Sequence, residues 1–120
     1  MEIADIQQRL RDLPHDIQKA GEKYAEDKAD LEFKEDMKKA VLAKRMMEVA
    51  KSFKEKKENA SEWKIRFIAE ADDVYTMFLE ELRASRERSL KSQVRYNALQ
   101  TEFEAIRSLS ALEKAMTKNL

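Results

Sequence analysis

Cysteine is absent from these 120 residues, and glycine, proline, tryptophan and histidine occur once each. The missing cysteines exclude disulfides, thiolate metal sites and cysteine nucleophiles, and they fit a reducing compartment. One glycine cannot build a phosphate-cradling loop, and one glycine with one proline leaves almost none of the punctuation that sheets and multi-loop folds require. No run approaches the roughly 18 uncharged apolar residues of a membrane span. The start, Met1-Glu2-Ile3-Ala4-Asp5, has no basic region followed by an apolar core. The expectation is a cytosolic chain with no membrane partner.

The scarce residues also bound the chemistry. His15 stands with Asp12 and Asp16, which is too few ligands for a zinc site unless chains combine, so a solvent-facing histidine is expected. No serine has a histidine base at a suggestive position. Carboxylate pairs such as Asp72 with Asp73 and Glu80 with Glu81 are adjacent on a helix, where neighbours point about 100° apart and do not converge on a substrate. The sequence therefore predicts no catalytic residue, no metal, no cofactor and no enzymatic activity.

What is present is charge and helix-forming composition. Charged residues make up 40% and hydrophobic residues 42%, enough for a narrow apolar seam and too little for a thick core. The chain reads as all-α. Ile3, Ile6, Leu10, Leu13, Ile17, Ala20 and Tyr24 follow the four-three spacing of a coiled coil, continued by Leu31. Pro14 interrupts it, and proline is comfortable only in a first turn, which predicts a break near Arg11 to Leu13 with Asp12 capping a helix that begins at Pro14. The residues before would be a short N-terminal helix or kinked extension. Gly21 weakens the next turn by roughly 1 kcal/mol relative to alanine.

Phe33, Met37, Val41, Met46, Val49 and Phe53 continue the apolar face, with the methionines read as core filling. Residues 54–62 hold nothing apolar larger than alanine, and Asn59 with Glu62 makes a plausible capping box. The reading is a single domain over 1–120, a long antiparallel helical hairpin with arms at about 14–57 and 60–118 and a turn near 58–61. A competing turn lies at Ala71-Asp72-Asp73 and would give three helices. On the second arm Trp63, Phe67, Val74, Tyr75, Phe78, Leu79 and Leu82 line the seam. Ser85, Ser89 and Ser92 follow where large residues belong, either letting two backbones approach or marking a wet seam. Tyr96, Leu99, Phe103 and Ile106 restore the stripe, with Leu109, Leu112 and Met116 continuing it.

Zero net charge conceals a segregation: residues 1–37 sum to −5, residues 38–66 to +6 and residues 67–120 to −1. Folding back near residue 60 sets Tyr24 beside Tyr96, Ile17 beside Phe103 and Leu10 near Ser110. It also lays Lys38, Lys39, Lys44 and Arg45 against Glu70, Asp72, Asp73, Glu80 and Glu81, and the acids of residues 26–36 against Arg86, Arg88, Lys91 and Arg95. Exposed pairs contribute at most about 1 kcal/mol each, so they choose register more than they stabilise. The aromatic residues carry more apolar area than a two-helix ribbon hides, which predicts a homodimer with four helices.

Two surfaces are candidates for binding. Trp63, Phe67, Phe78 and Leu79 are anchors for a protein partner, aromatics being prominent in interface hot spots, unless they form dimer core. Lys51, Lys54, Lys56, Lys57, Lys64 and Arg66 surround the turn, where phosphate contact and base stacking on Trp63 and Phe67 would permit single-stranded nucleic-acid binding. A solvated tip is the plainer reading of those charges.

The segments 4–17, Ala4-Asp5-Ile6-Gln7-Gln8-Arg9-Leu10-Arg11-Asp12-Leu13-Pro14-His15-Asp16-Ile17, and 103–114, Phe103-Glu104-Ala105-Ile106-Arg107-Ser108-Leu109-Ser110-Ala111-Leu112-Glu113-Lys114, together resemble small coiled-coil proteins encoded by tailed bacteriophages and prophages. The resemblance implies a phage origin, a helical hairpin, the host cytoplasm, and in some cases a genomic place near recombination and single-strand-annealing genes. It carries over no catalytic residue. The function expected is that of a non-enzymatic interaction or adaptor protein acting on a protein partner in DNA metabolism or host takeover. The alternatives are a nucleic-acid-binding accessory of recombination or replication, or a virion scaffold component.

Overall fold

The computed structural model describes residues 2–118, which form α1 (Ile3–Glu55), α2 (Glu62–Glu70) and α3 (Asp73–Lys118) and, among the described residues, no strand. The chain divides into two compact units, unit 1 from Met1–Asp27 with Arg88–Leu120 and unit 2 from Lys28–Glu87. In each, α1 runs antiparallel to the later part of the chain, so the fold is the all-α helical hairpin that the composition predicts.

In unit 1 the buried residues of α1 are Ile6, Leu13, Ala20 and Asp27, one every seven positions. The first three close on Leu99 and Ile106 of α3, and Leu10, Ile17, Tyr96 and Phe103 pack against that cluster. A seven-residue repeat keeps one face turned to its partner along a supercoil. Ile17 and Phe103 thus meet in one core, and the rings of Tyr24 and Tyr96 lie 6.2 Å apart, as a fold-back about residue 60 requires. A Cβ on Gly21 would come within 3.3 Å of Tyr96 Cε1. The glycine leaves room for that ring, which offsets its poor helix propensity. Arg9 donates to both carboxylate oxygens of Glu102 at 2.7 and 2.9 Å and to Asp16 at 3.1 Å. Its guanidinium holds the Glu102 carboxyl below the usual range.

Two expectations fail here. Pro14 lies inside α1, so no separate N-terminal helix forms, and Asp12 caps nothing and instead accepts from Gln8 at 3.1 Å. Interior proline costs about 3 kcal/mol, but Leu13 beside it is fully buried and Leu10 and Ile17 pack on the same core. Burial stabilises by about 1.5–3 kcal/mol per large side chain, and it wins. Leu109, Leu112 and Met116 do not continue the seam; they are 46, 56 and 62% exposed. Two successive steps of three from Ile106 each turn the face back by about 60°, and the stripe leaves the core.

In unit 2 the core holds Ala69, Tyr75, Leu82 and Ser85. Of the apolar face expected on α1, Val41, Met46, Val49 and Phe53 are half-buried, whereas Phe33 is 64% and Met37 38% exposed, and Met47, a methionine read as core filling, is 73% exposed. α1 ends in a Schellman turn: Glu58 N–H donates to Phe53 O and Lys57 N–H to Lys54 O, with Lys57 in the left-handed region at φ 57°. That position ordinarily belongs to glycine. Lys57→Gly is expected to raise stability in urea unfolding by about 0.5–1 kcal/mol, because it removes the Cβ penalty of the left-handed conformation.

The expected second arm is two helices. Ser61, not Asn59, caps α2, its extended backbone (φ −68°, ψ 156°) placing the hydroxyl to accept from Lys64 N–H. α2 stops at Glu70, and Asp72 starts α3 by accepting from Val74 N–H at 2.8 Å. Arg45 reaches the same Asp72 carboxylate at 2.8 Å, which realises one of the charge pairings expected across the hairpin. Asp72 is held below the usual carboxyl range by Arg45 first, with its own backbone bonds adding to it. A second expected pairing, Arg86 with Glu35, is present at 3.4 Å.

Two serines of α3 face carboxylates across the seam. In unit 1 the Ser92 hydroxyl donates to Asp27, which is only 8% exposed. In unit 2 the fully buried Ser85 donates to Asp30 at 2.8 Å and accepts from Lys34 at 2.8 Å. The seam is polar at these positions because the carboxylate and its hydroxyl donor arrive together.

Candidate partner-binding surface

Most polar groups with unusual surroundings serve the fold. Asp27, Asp72 and Glu102 are held below the ordinary carboxyl range, and each is engaged across the hairpin with Ser92, Arg45 or Arg9 in turn. His15 is exposed on α1. Among the described residues no three His, Cys, Asp or Glu side chains gather so as to hold a metal, and no helix is long and apolar enough to cross a membrane.

What the structure does present is apolar surface. On α2 in unit 2, Trp63 and Phe67 are one helical turn apart, so their side chains share a face. Their rings stack at 5.6 Å with 20° between planes. Trp63 is 74% and Phe67 60% exposed, so one face of each ring supports the other and the outer faces stand in water. Ser61 begins this helix and Asp72 begins the next, which holds the aromatic pair on a nine-residue element rather than a loose loop. Phe78 and Leu79 are half-buried on α3. Val74, expected on the seam, is 52% exposed, and Met77 at 61% adds further apolar surface.

The basic residues around the turn are exposed, but they are not equivalent. Arg66 is tied to Glu70 at 2.8 Å, and Lys64 Nζ sits 5.3 Å from the Phe53 ring centre. Lys57 has a backbone duty in the turn. Lys51, Lys54, Lys56 and Lys57 have no carboxylate within salt-bridge distance among the described residues, so their charge is open to solvent or to a ligand.

Unit 1 carries a different surface. Leu90, Val94, Ala98 and Leu99 with Lys91, Arg95 and Glu102 line a shallow apolar groove on α3. Leu90 is 61% and Val94 60% exposed. Neither stands out by residue type, but their four-residue spacing and its continuation through Ala98, Thr101 and Ala105 are legible in the sequence.

No described protein family, curated protein or solved structure matches the chain.

Proposed function

We propose that the chain is a non-enzymatic interaction protein that self-associates and engages a protein partner through the stacked Trp63–Phe67 pair of α2, acting in the cytoplasm of a phage-infected host in DNA metabolism or takeover. The observation that carries this reading is the exposure of the pair, 74 and 60%, on a short capped helix. Two preordered aromatic rings give up little freedom on docking and offer a large apolar area, the properties of interface anchors. The phage setting rests on the resemblance of the two ends of the chain to small phage coiled-coil proteins.

A specific observation also favours single-stranded nucleic acid as an occupant of the same tip. Unpaired Lys51, Lys54, Lys56 and Lys57 lie in the same unit as an aromatic stack on which a base could sit. Protein remains the first reading, because Glu55, Glu58 and Glu62 interleave the lysines and break the continuous cationic track that a phosphate backbone follows.

Trp63→Ala/Phe67→Ala tests both. Its melting temperature should stay within a few degrees of the parent, since neither ring is buried. In pulldown from host lysate, a protein retained by the parent should be lost by the variant, and with that protein purified the affinity should drop roughly 30-fold or more, corresponding to about 2 kcal/mol. Retention of the same proteins by both chains removes the aromatic pair from the interface. Titration with labelled oligonucleotide at low and high salt separates the alternatives. Salt-sensitive binding that disappears in Lys54→Glu/Lys56→Glu/Lys57→Glu would replace the protein reading with the nucleic-acid one.

A further inference from the structure

The part of α3 in unit 1 has two apolar faces. Tyr96, Leu99, Phe103 and Ile106 turn toward α1. Leu90, Val94, Ala98, Thr101, Ala105, Leu109, Leu112 and Met116 recur at steps of four, four, three, four, four, three and four, and all eight are exposed. At about 100° per residue they lie roughly 100° to 180° around the helix from the middle of that seam, Leu109 nearest to it and Thr101 farthest. The part of α1 in unit 1 has no counterpart: Gln8, Arg11, Asp12, His15, Gln18 and Glu22 are exposed and polar.

We propose that this outer face of α3 is covered by the same face of a second copy of the chain, the two α3 helices lying antiparallel about a two-fold axis near residue 103. The inference rests on the self-association proposed above and does not involve Trp63 or Phe67. Three observations on α3 converge on it.

The stripe is self-complementary in size. About a centre at residue 103, Leu90 meets Met116, Val94 meets Leu112, Ala98 falls against Leu109, and Thr101 meets Ala105. Large residues at the two ends flank a small middle that lets the helices approach. A parallel pair would set Ala98 on Ala98 and leave that layer thin.

The charges weigh against a parallel pair. Residues 88–97 carry Arg88, Lys91 and Arg95 and no acid, and the residues that mirror them about residue 103, 109–118, carry Glu113 with Lys114 and Lys118. Glu102 is already matched by Arg9, which leaves Glu113 for a partner. Antiparallel packing puts Glu113 opposite position 93, between Lys91 and Arg95, while parallel packing sets like charges together, which is unfavourable.

The surface is of the right extent. Twenty-seven residues span about 40 Å of helix. The exposed parts of Leu90, Val94, Leu109, Leu112 and Met116 amount to several hundred Å2 per chain, on the order of the ~800 Å2 per partner in a standard interface once flanking side chains are added. A two-fold interface also closes on itself and leaves no second apolar face to propagate.

The two apolar faces of α3 are centred roughly 150° apart, so within unit 1 the paired helices form a nearly flat layer, α1, α3, the partner's α3, the partner's α1. A square four-helix bundle would need the faces about a quarter-turn apart.

Sedimentation equilibrium on the full chain tests this, comparing the parent with Val94→Glu, Leu112→Lys and the double variant Val94→Glu/Leu112→Lys. Both positions are exposed, and far-UV circular dichroism melts check that folding is retained. The parent should be a dimer, each single substitution should weaken it at least about tenfold, and the double variant should regain it, because each introduced glutamate then faces the other chain's introduced lysine. Because the chain has no cysteine, Thr101→Cys/Ala105→Cys should become covalently dimeric on mild oxidation, a readout independent of the charged variants. A parent dimer indifferent to Val94→Glu overturns the face and leaves self-association standing. Loss in the single variants without recovery in the double overturns the antiparallel register. A monomeric parent, with no cross-link, removes self-association itself.

Discussion

Leu13→Ala should cost about 2–5 kcal/mol of unfolding free energy, the range for emptying a fully buried leucine site. Leu13 is 0% exposed and belongs to the cluster with Ile6, Ala20, Leu99 and Ile106. Its neighbours in a two-helix seam are few and sit on helices that cannot collapse inward independently. The cavity term should therefore be retained, and the loss should lie toward the upper end of the range. Leu82→Ala, at 1% exposure in unit 2, should behave alike. Met47→Ala, at 73% exposure, should change stability by no more than about 0.5 kcal/mol. Urea unfolding monitored by circular dichroism reads all three. Comparable small losses at Leu13 and Met47 would mean that the seam is not where this chain derives its stability.

The polar layer in unit 1 gives a second result, in which one substitution and a pair move in opposite directions. Ser92→Ala removes the hydroxyl that donates to Asp27 and leaves a carboxylate that is 8% exposed with Lys23 at 3.2 Å. The loss should be about 1–3 kcal/mol, the penalty of a buried acceptor deprived of its donor. Asp27→Leu combined with Ser92→Ala removes both polar groups and extends the heptad of Ile6, Leu13 and Ala20 by one apolar layer. That pair should recover the loss and can exceed the parent by about 1–4 kcal/mol, as when buried ionic groups give way to packed apolar ones. A double-mutant cycle isolates the coupling. The accompanying change should be in specificity: with the Asp27–Ser92 pair gone, nothing polar marks that layer, and shifted registers or additional associated species should appear in sedimentation. A destabilised double variant would show that the aspartate contributes net stability.

Much of the hairpin was legible because it depends on period. Ile6, Leu13 and Ala20 announce their face by spacing alone, and the mirror relation about residue 60 by itself sets Tyr24 against Tyr96. What spacing could not supply was the outcome of a competition. At Pro14 a local penalty opposes burial of Leu13, and only the packing says which prevails. At Asn59 and Ser61 two good caps lie two residues apart, and the choice follows from where the Schellman turn at Lys57 releases the chain. Leu109, Leu112 and Met116 look like a continuing stripe because each step is allowed; the drift emerges only when the steps are summed around the helix. For the binding surface, the aromatic character of Trp63 and Phe67 was plain in the sequence. Their exposure was not, since an apolar residue at helical spacing reads the same whether it meets a neighbour or water.

The uninterrupted passage of α1 through Pro14 bears on how the molecule breathes. Proline has no amide hydrogen, so the carbonyl of Leu10 lacks the donor that every ordinary turn supplies. The amides of the first three turns are then joined to the remainder by one rung fewer, and they should trade their protons with solvent sooner than those beyond Ile17. The turns of α1 before the proline can thus loosen a little at a time while those past it stay wound.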